Sequence, residues 1–196
     1  MELRELLMQY EIENNLNHIE MAEKVGVSFS TYYRWMRGES TKLKKTTINK
    51  LNELLDCDVE IVIEENNRIK PILGKVKAGY DFYAQEDIEG YVEVGKADAS
   101  KGDYFLRVVG NSMIDKYIFP DDLVYVEQTN NINDNEIAVI LINDEVTIKT
   151  IRFKDNNIIL EPANNDYETK IFTPQDVIDN NLTIIGRVRY IRRDLI

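Results

Sequence analysis

At 196 residues the chain is long enough for one large domain or two modest ones, and no uncharged apolar run is long enough to span a bilayer. One cysteine, Cys57, excludes an intramolecular disulfide framework and suits a reducing cytosol, and one histidine, His18, argues against a His-based zinc site or a Ser-His-Asp triad. The net charge of -11 argues against nucleic acid as a partner of the chain taken whole, so any basic surface must be local.

The start, MELRELLMQYEIENN, alternates acids with apolar residues and lacks the basic-then-apolar order of a secretory signal. Leu3, Leu6, Leu7 and Tyr10 recur at helical spacing up to a polar break at Asn14-Asn15. A second helix is predicted from His18 to Val25, with Gly26 as a left-handed stop. Ser28 can cap a third helix running to about Arg37 and closed by Gly38. Thr46 or Thr47 opens a fourth, with Ile48, Leu51, Leu54 and Leu55 on one face.

Val59, Ile61 and Ile63 then alternate with acids, and Pro71 follows; residues 59–73 read as a connector with some extended structure. Beyond it come short β-type runs parted by turn residues: YFLRVVG, DLVYVEQ, EIAVILI, EVTIKTIRF, NIILEPA and LTIIGRVRYI. That spacing predicts a mostly antiparallel β domain over 74–196 behind an all-α domain over 1–58, an α+β chain of two domains.

Between Lys24 and Lys50 seven cations (Lys24, Arg34, Arg37, Lys42, Lys44, Lys45 and Lys50) face a single acid, Glu39, a local surplus of +6. Alone, such a cluster is a solvated helix face. Here it overlies Ala22–Gly38, where Tyr32, Trp35 and Met36 share one side of the third helix and Phe29, Ser30, Tyr33, Arg34 and Arg37 the other. This is a helix-turn-helix layout, whose second helix offers its N-terminal residues to major-groove base edges. Over residues 14–58 it resembles the Cro/CI phage-repressor type. The resemblance implies that Ser28, Phe29, Ser30, Tyr33 and Arg34 face double-stranded DNA, while Arg37, Lys42, Lys44 and Lys45 hold phosphates. His18 stands where that family often has glutamine.

Three further motifs lie in the β half. Gly110-Asn111-Ser112-Met113 follows an apolar strand, Glu145–Thr150 carries Lys149, and Val76-Lys77-Ala78-Gly79 lies just past the connector. Without histidine, a neutral lysine can take a serine's proton, provided desolvation lowers its pKa. Period-two alternation puts Lys149 on one strand face with Ile151 and Phe153, an apolar neighbourhood. Each motif alone is weak; their order and spacing behind a helix-turn-helix make them specific.

Together they resemble the LexA-type repressors and the Ser-Lys (S24) autopeptidases, including UmuD and the lambda-type repressors, over residues 74–196. The resemblance implies Ser112 as nucleophile, Lys149 as general base and Ala78-Gly79 as the bond the chain cuts in itself. Ser112 precedes Lys149 by 37 positions and follows Gly79 by 33. Pro120-Asp121-Asp122, Glu161-Pro162-Ala163-Asn164 and Ile185-Gly186-Arg187-Val188 fit too, although the family often has glycine where Asp121 stands. It implies a cytoplasmic repressor that dimerises through its C-terminal domain on a palindromic operator, with no metal or cofactor. Self-cleavage, stimulated by a RecA filament in an SOS response, would end repression. The alternatives are a non-cleaving repressor, host or prophage, controlled by an antirepressor, and a general peptidase of the signal-peptidase kind, for which no membrane anchor is seen.

Overall fold

A computed structural model describes residues 2–37, 43–74, 88–143 and 145–194. The chain divides into two compact units, Met1–Arg68 and Ile69–Ile196.

Among the described residues the first unit holds five helices: α1 (Leu3–Asn14), α2 (His18–Val25), α3 (Phe29–Met36), α4 (Lys45–Leu55) and α5 (Val59–Asn67). Its core is Leu3, Leu7, Met21, Ala22, Val25, Tyr32, Trp35, Leu51 and Val59. Asn17 caps α2 by accepting from the N–H groups of Ile19 and Glu20. At Gly26 φ is +82°, a left-handed stop that costs glycine nothing and turns the chain toward α3.

The stretch expected as a connector, 59–73, is no connector. Val59 is fully buried and Ile63 packs on the same core while Ile61 stays exposed, so the apolar period is four and not two. The Asp58 side chain accepts from the N–H groups of Glu60 and Ile61, which starts α5. Arg68 ends that helix, and Ile69 opens the first strand of the second unit.

Among the described residues the second unit is built on one mixed sheet. Its strands are β1 (Ile69–Leu73), β2 (Ile88–Glu93), β3 (Tyr104–Arg107), β4 (Leu123–Glu127), β5 (Ile137–Ile142), β6 (Glu145–Lys154), β7 (Asn157–Glu161), β8 (Lys170–Phe172) and β9 (Thr183–Arg192). They lie in the order β2-β1-β3-β4-β9-β5-β6-β7-β8. Every pairing among the described residues is antiparallel except β1 with β3, where Ile72 faces Phe105 and Leu73 faces Leu106. A short helix, α6 (Pro174–Asp179), starts from a Thr173–Asp176 capping box.

The turn Pro120–Asp122 shows why a glycine suits it. Asp121 adopts φ +70°, and Asp122 beside it is buried. The Asp122 carboxylate accepts from Arg193 at 2.6 Å through both oxygens and from the Phe119 N–H at 2.8 Å. Arg193, which also lies over the Phe119 ring, therefore ties the end of the chain to the turn.

Candidate functional site

The first candidate surface is α3. The Ser28 Oγ accepts from the Thr31 N–H at 3.3 Å and caps the helix, so this hydroxyl already has a structural task. Tyr32 and Trp35 go to the core and Met36 is half-buried, while Phe29, Ser30, Tyr33, Arg34 and Arg37 stay exposed, as the two-faced pattern requires. Phe29 and Tyr33, one helical turn apart, stack with ring centroids 5.7 Å apart and form an aromatic step on the exposed face. Lys44 is exposed at the start of α4; Lys45 pairs with Glu60 at 3.0 Å, both solvent-accessible. Lys42 and Gly38 lie outside the described residues.

Behind this face is a residue that sequence reasoning missed. Glu11 is only 6 % exposed and accepts from the Tyr32 hydroxyl at 2.8 Å; its other partner, the His18 ring, lies at 2.8 Å. One buried carboxylate thus joins α1, α2 and α3. Burial first, and then this carboxylate, raise the Tyr32 pKa far above the usual phenol range. The signal was present: Leu3, Leu7 and Glu11 are spaced by four, which places an acid on the apolar stripe. His18, which stands where the family often has glutamine, is held by Glu11.

The second candidate surface is built on β6. Lys149 lies mid-strand opposite Ala138 of β5, and its Nζ donates to Ser112 Oγ at 2.7 Å, Thr147 Oγ1 at 2.8 Å and the Ile148 carbonyl at 3.0 Å. Burial lowers the Lys149 pKa below the ordinary lysine value, and the nearby Lys170 cation lowers it further. Both effects favour the neutral amine that a base requires. Thr147 shares the strand face with Lys149, so period two brings its hydroxyl to the amine. Phe153, expected on this apolar face, is instead 45 % exposed at the far end of β6, where the strand runs out to solvent; Ile151 is buried as expected. The amine opens on a cleft of about 920 Å³ walled by Ile142, Val146, Leu160 and Phe172.

Ser112 sits in a loop that the 161–167 turn holds in place. Gly110 takes φ +84° to reverse the chain after β3. The Ala163 N–H donates to the Ser112 carbonyl at 2.8 Å, Asn164 Nδ2 to the Asn111 carbonyl at 3.0 Å, and the Tyr167 hydroxyl to Asn111 Oδ1. The Asp115 N–H donates back to the Ala163 carbonyl. Asn164 and Tyr167 therefore position the serine without touching it, a role that one sequence cannot reveal because the two turns are far apart in the chain.

Ala78 and Gly79 lie outside the described residues. Their entry point does not. Because β1 and β3 are parallel neighbours, the chain leaves Leu73 and Leu106 at the same end of the sheet. One exit leads to Ala78 and the other to Ser112, each within about six residues, a reach of roughly 20 Å. Among the described residues no group of His, Cys, Asp and Glu is arranged to hold a metal ion, and no helix is long and apolar enough to cross a membrane.

Comparison with known proteins agrees with this division. Residues 71–189 match the Peptidase S24-like family and residues 6–62 the Helix-turn-helix family. The LexA repressor of Bacillus licheniformis is 33% identical over 177 residues, covering 86% of this chain and 82% of that one. That of Clostridium novyi is 31% identical over 180 residues, covering 89% and 84%. The LexA repressor of Hahella chejuensis is 42% identical over 106 residues, and there the match spans 54% of this chain and 53% of its relative.

Proposed function

The chain belongs to the LexA-like repressors, which join a helix-turn-helix to a Peptidase S24-like domain, and on that premise we propose that it is a cytosolic, operator-binding repressor that inactivates itself by cutting Ala78-Gly79. The observation that carries this reading is the 2.7 Å contact between the desolvated amine of Lys149 and the hydroxyl of Ser112.

In the reactive state Lys149 is neutral and the Ser112 O–H donates to its Nζ. As the proton passes to Lys149, Oγ attacks the Ala78 carbonyl carbon. The bond to Gly79 breaks, and the departing amine takes the proton back from the lysine. Water then hydrolyses the Ser112 ester with Lys149 again as base. Thr147 Oγ1 and the Ile148 carbonyl hold the amine in line throughout.

Two helix-turn-helix heads, joined through a dimer of the C-terminal domain, occupy the two half-sites of an operator, and the linkage multiplies affinity. Ser28, Phe29, Ser30, Tyr33 and Arg34 read the major groove; Arg37, Lys42, Lys44 and Lys45 hold phosphates. A cut at Ala78 parts heads from dimeriser and ends repression, with a RecA filament as the stimulus.

Incubation of the purified chain at alkaline pH followed by a denaturing gel tests this. Fragments of 78 and 118 residues are expected, and none from Ser112→Ala. Full-length chain that persists even with activated RecA overturns self-cleavage and leaves a repressor controlled by an antirepressor.

A further inference from the structure

The cleft that opens on Lys149 has two kinds of wall. Ile142 and Val146 form an apolar side, and the polar side carries the exposed carboxylates of Glu145, Asp166 and Glu168 together with the Lys170 cation. None of these three carboxylates is in an ion pair among the described residues. Acids beside a lysine base work against its deprotonation. The charge that bears on Lys149 is the Lys170 cation, which favours the neutral amine. With Lys149 neutral, three unpaired carboxylates against the one Lys170 cation leave the cleft net negative, which calls for a cationic occupant.

The sequence ahead of the cut bond is Lys75-Val76-Lys77-Ala78. Bound as an extended strand, such a segment presents Lys75 and Lys77 on one face and the small apolar Val76 and Ala78 on the other. That division matches the two walls of the cleft. We infer that Glu145, Asp166 and Glu168 are specificity-determining residues that select the segment to be cut by its lysines, Lys75 and Lys77. The inference rests on self-cleavage at Ala78-Gly79 and adds what the site recognises: a short basic-apolar strand ending in a small residue.

The test is a charge swap in the full chain, with cleavage followed at a pH above the Lys149 titration so that a shifted base does not mimic the effect. Lys75→Glu/Lys77→Glu is expected to be cut about tenfold more slowly, since two attractions become repulsions. Adding Asp166→Lys/Glu168→Lys to that variant restores most of the loss, although the same cleft changes slow the wild-type segment. Thermal melting and operator binding of each variant report on folding. Should the cleft variant not fold, salt decides: the wild type slows as salt rises and Lys75→Ala/Lys77→Ala does not. An unchanged rate for Lys75→Glu/Lys77→Glu, or equal salt dependence of wild type and alanine variant, overturns the inference while self-cleavage stands. A wild type that is never cut overturns the self-cleavage reading itself.

Discussion

The Nζ of Lys149 lies 2.7 Å from the Oγ of Ser112, although the two residues are 37 positions apart in the chain. In that geometry the protonated form fills all three donor sites, and the neutral amine keeps Thr147 Oγ1 and the Ile148 carbonyl as acceptors while its lone pair faces Ser112. The pocket is built to hold an amine still, and its burial decides which protonation state is held.

The rate of self-cleavage is expected to rise with pH and then level off. A lysine whose pKa is lowered loses its proton earlier in the titration, so the midpoint falls below the ordinary lysine value. The pH–rate profile measures it. Lys170→Ala removes a cation that also lowers this pKa, and the midpoint moves up. A Lys170→Ala profile superimposed on that of the wild type would contradict the assignment.

Tyr167→Phe removes one hydrogen bond to Asn111 and leaves the ring. The plateau rate is expected to fall several-fold, as a misplaced serine costs rate steeply, while the midpoint of the pH profile stays where it was. Asn164→Ala, which frees the Asn111 carbonyl, should do more, at about 1 kcal/mol of stability as well. Single-turnover kinetics and thermal melts separate the two.

In the helical unit, Glu11→Ala strands the buried Tyr32 hydroxyl and unties α1 from α2 and α3. A loss of about 2 kcal/mol is expected. Operator affinity falls with it, but the salt dependence of binding is unchanged because no phosphate contact is lost. Denaturant melts and binding isotherms at several salt concentrations check both halves of this expectation.

Arg34→Ala should cost about 1–3 kcal/mol at particular base pairs only. Lys44→Ala should weaken every sequence alike and lower the salt slope by about one. Lys45→Ala should do less than Lys44→Ala, because Glu60 already shares its charge. Competition assays with operator variants distinguish these patterns.

Asp122 bears on acid stability. Arg193 holds this carboxylate below the usual range, so it binds no proton in the folded state where the unfolded chain would. Its contribution is present above the unfolded carboxylate pKa and is lost as pH falls through the folded one. Asp122→Asn should therefore flatten the acid limb of the stability–pH curve, measured by denaturant melts across that range.

The sequence made the helix-turn-helix legible because its determinants are local: a left-handed stop at Gly26, a cap at Ser28, and two faces on one short helix. The strand that leads to Ser112 and the strand that carries Lys149 were legible for the same reason. Residues 59–73 were misread because Val59, Ile61 and Ile63 satisfy period two as well as the four-residue repeat that the core selects. Phe153 was misplaced because alternation gives the face and not the depth along it. Glu11 could be read as an acid on an apolar stripe, but its partner Tyr32 could not, and Asn164 and Tyr167 act on Asn111 from more than fifty positions away, where no spacing rule reaches.

The parallel pairing of β1 with β3 bears on time as well as on place. It starts the segment that leads to Ala78 and the loop that leads to Ser112 from neighbouring points, so under the proposed self-cleavage each molecule would carry its own substrate at a high effective concentration. The proposed cleavage within one chain would run as a first-order clock, with a half-life of the repressor that does not depend on how much of it a cell contains. A tenfold dilution is expected to leave that half-life unaltered, so that a repressor so built would be removed at the same fractional pace whether scarce or abundant.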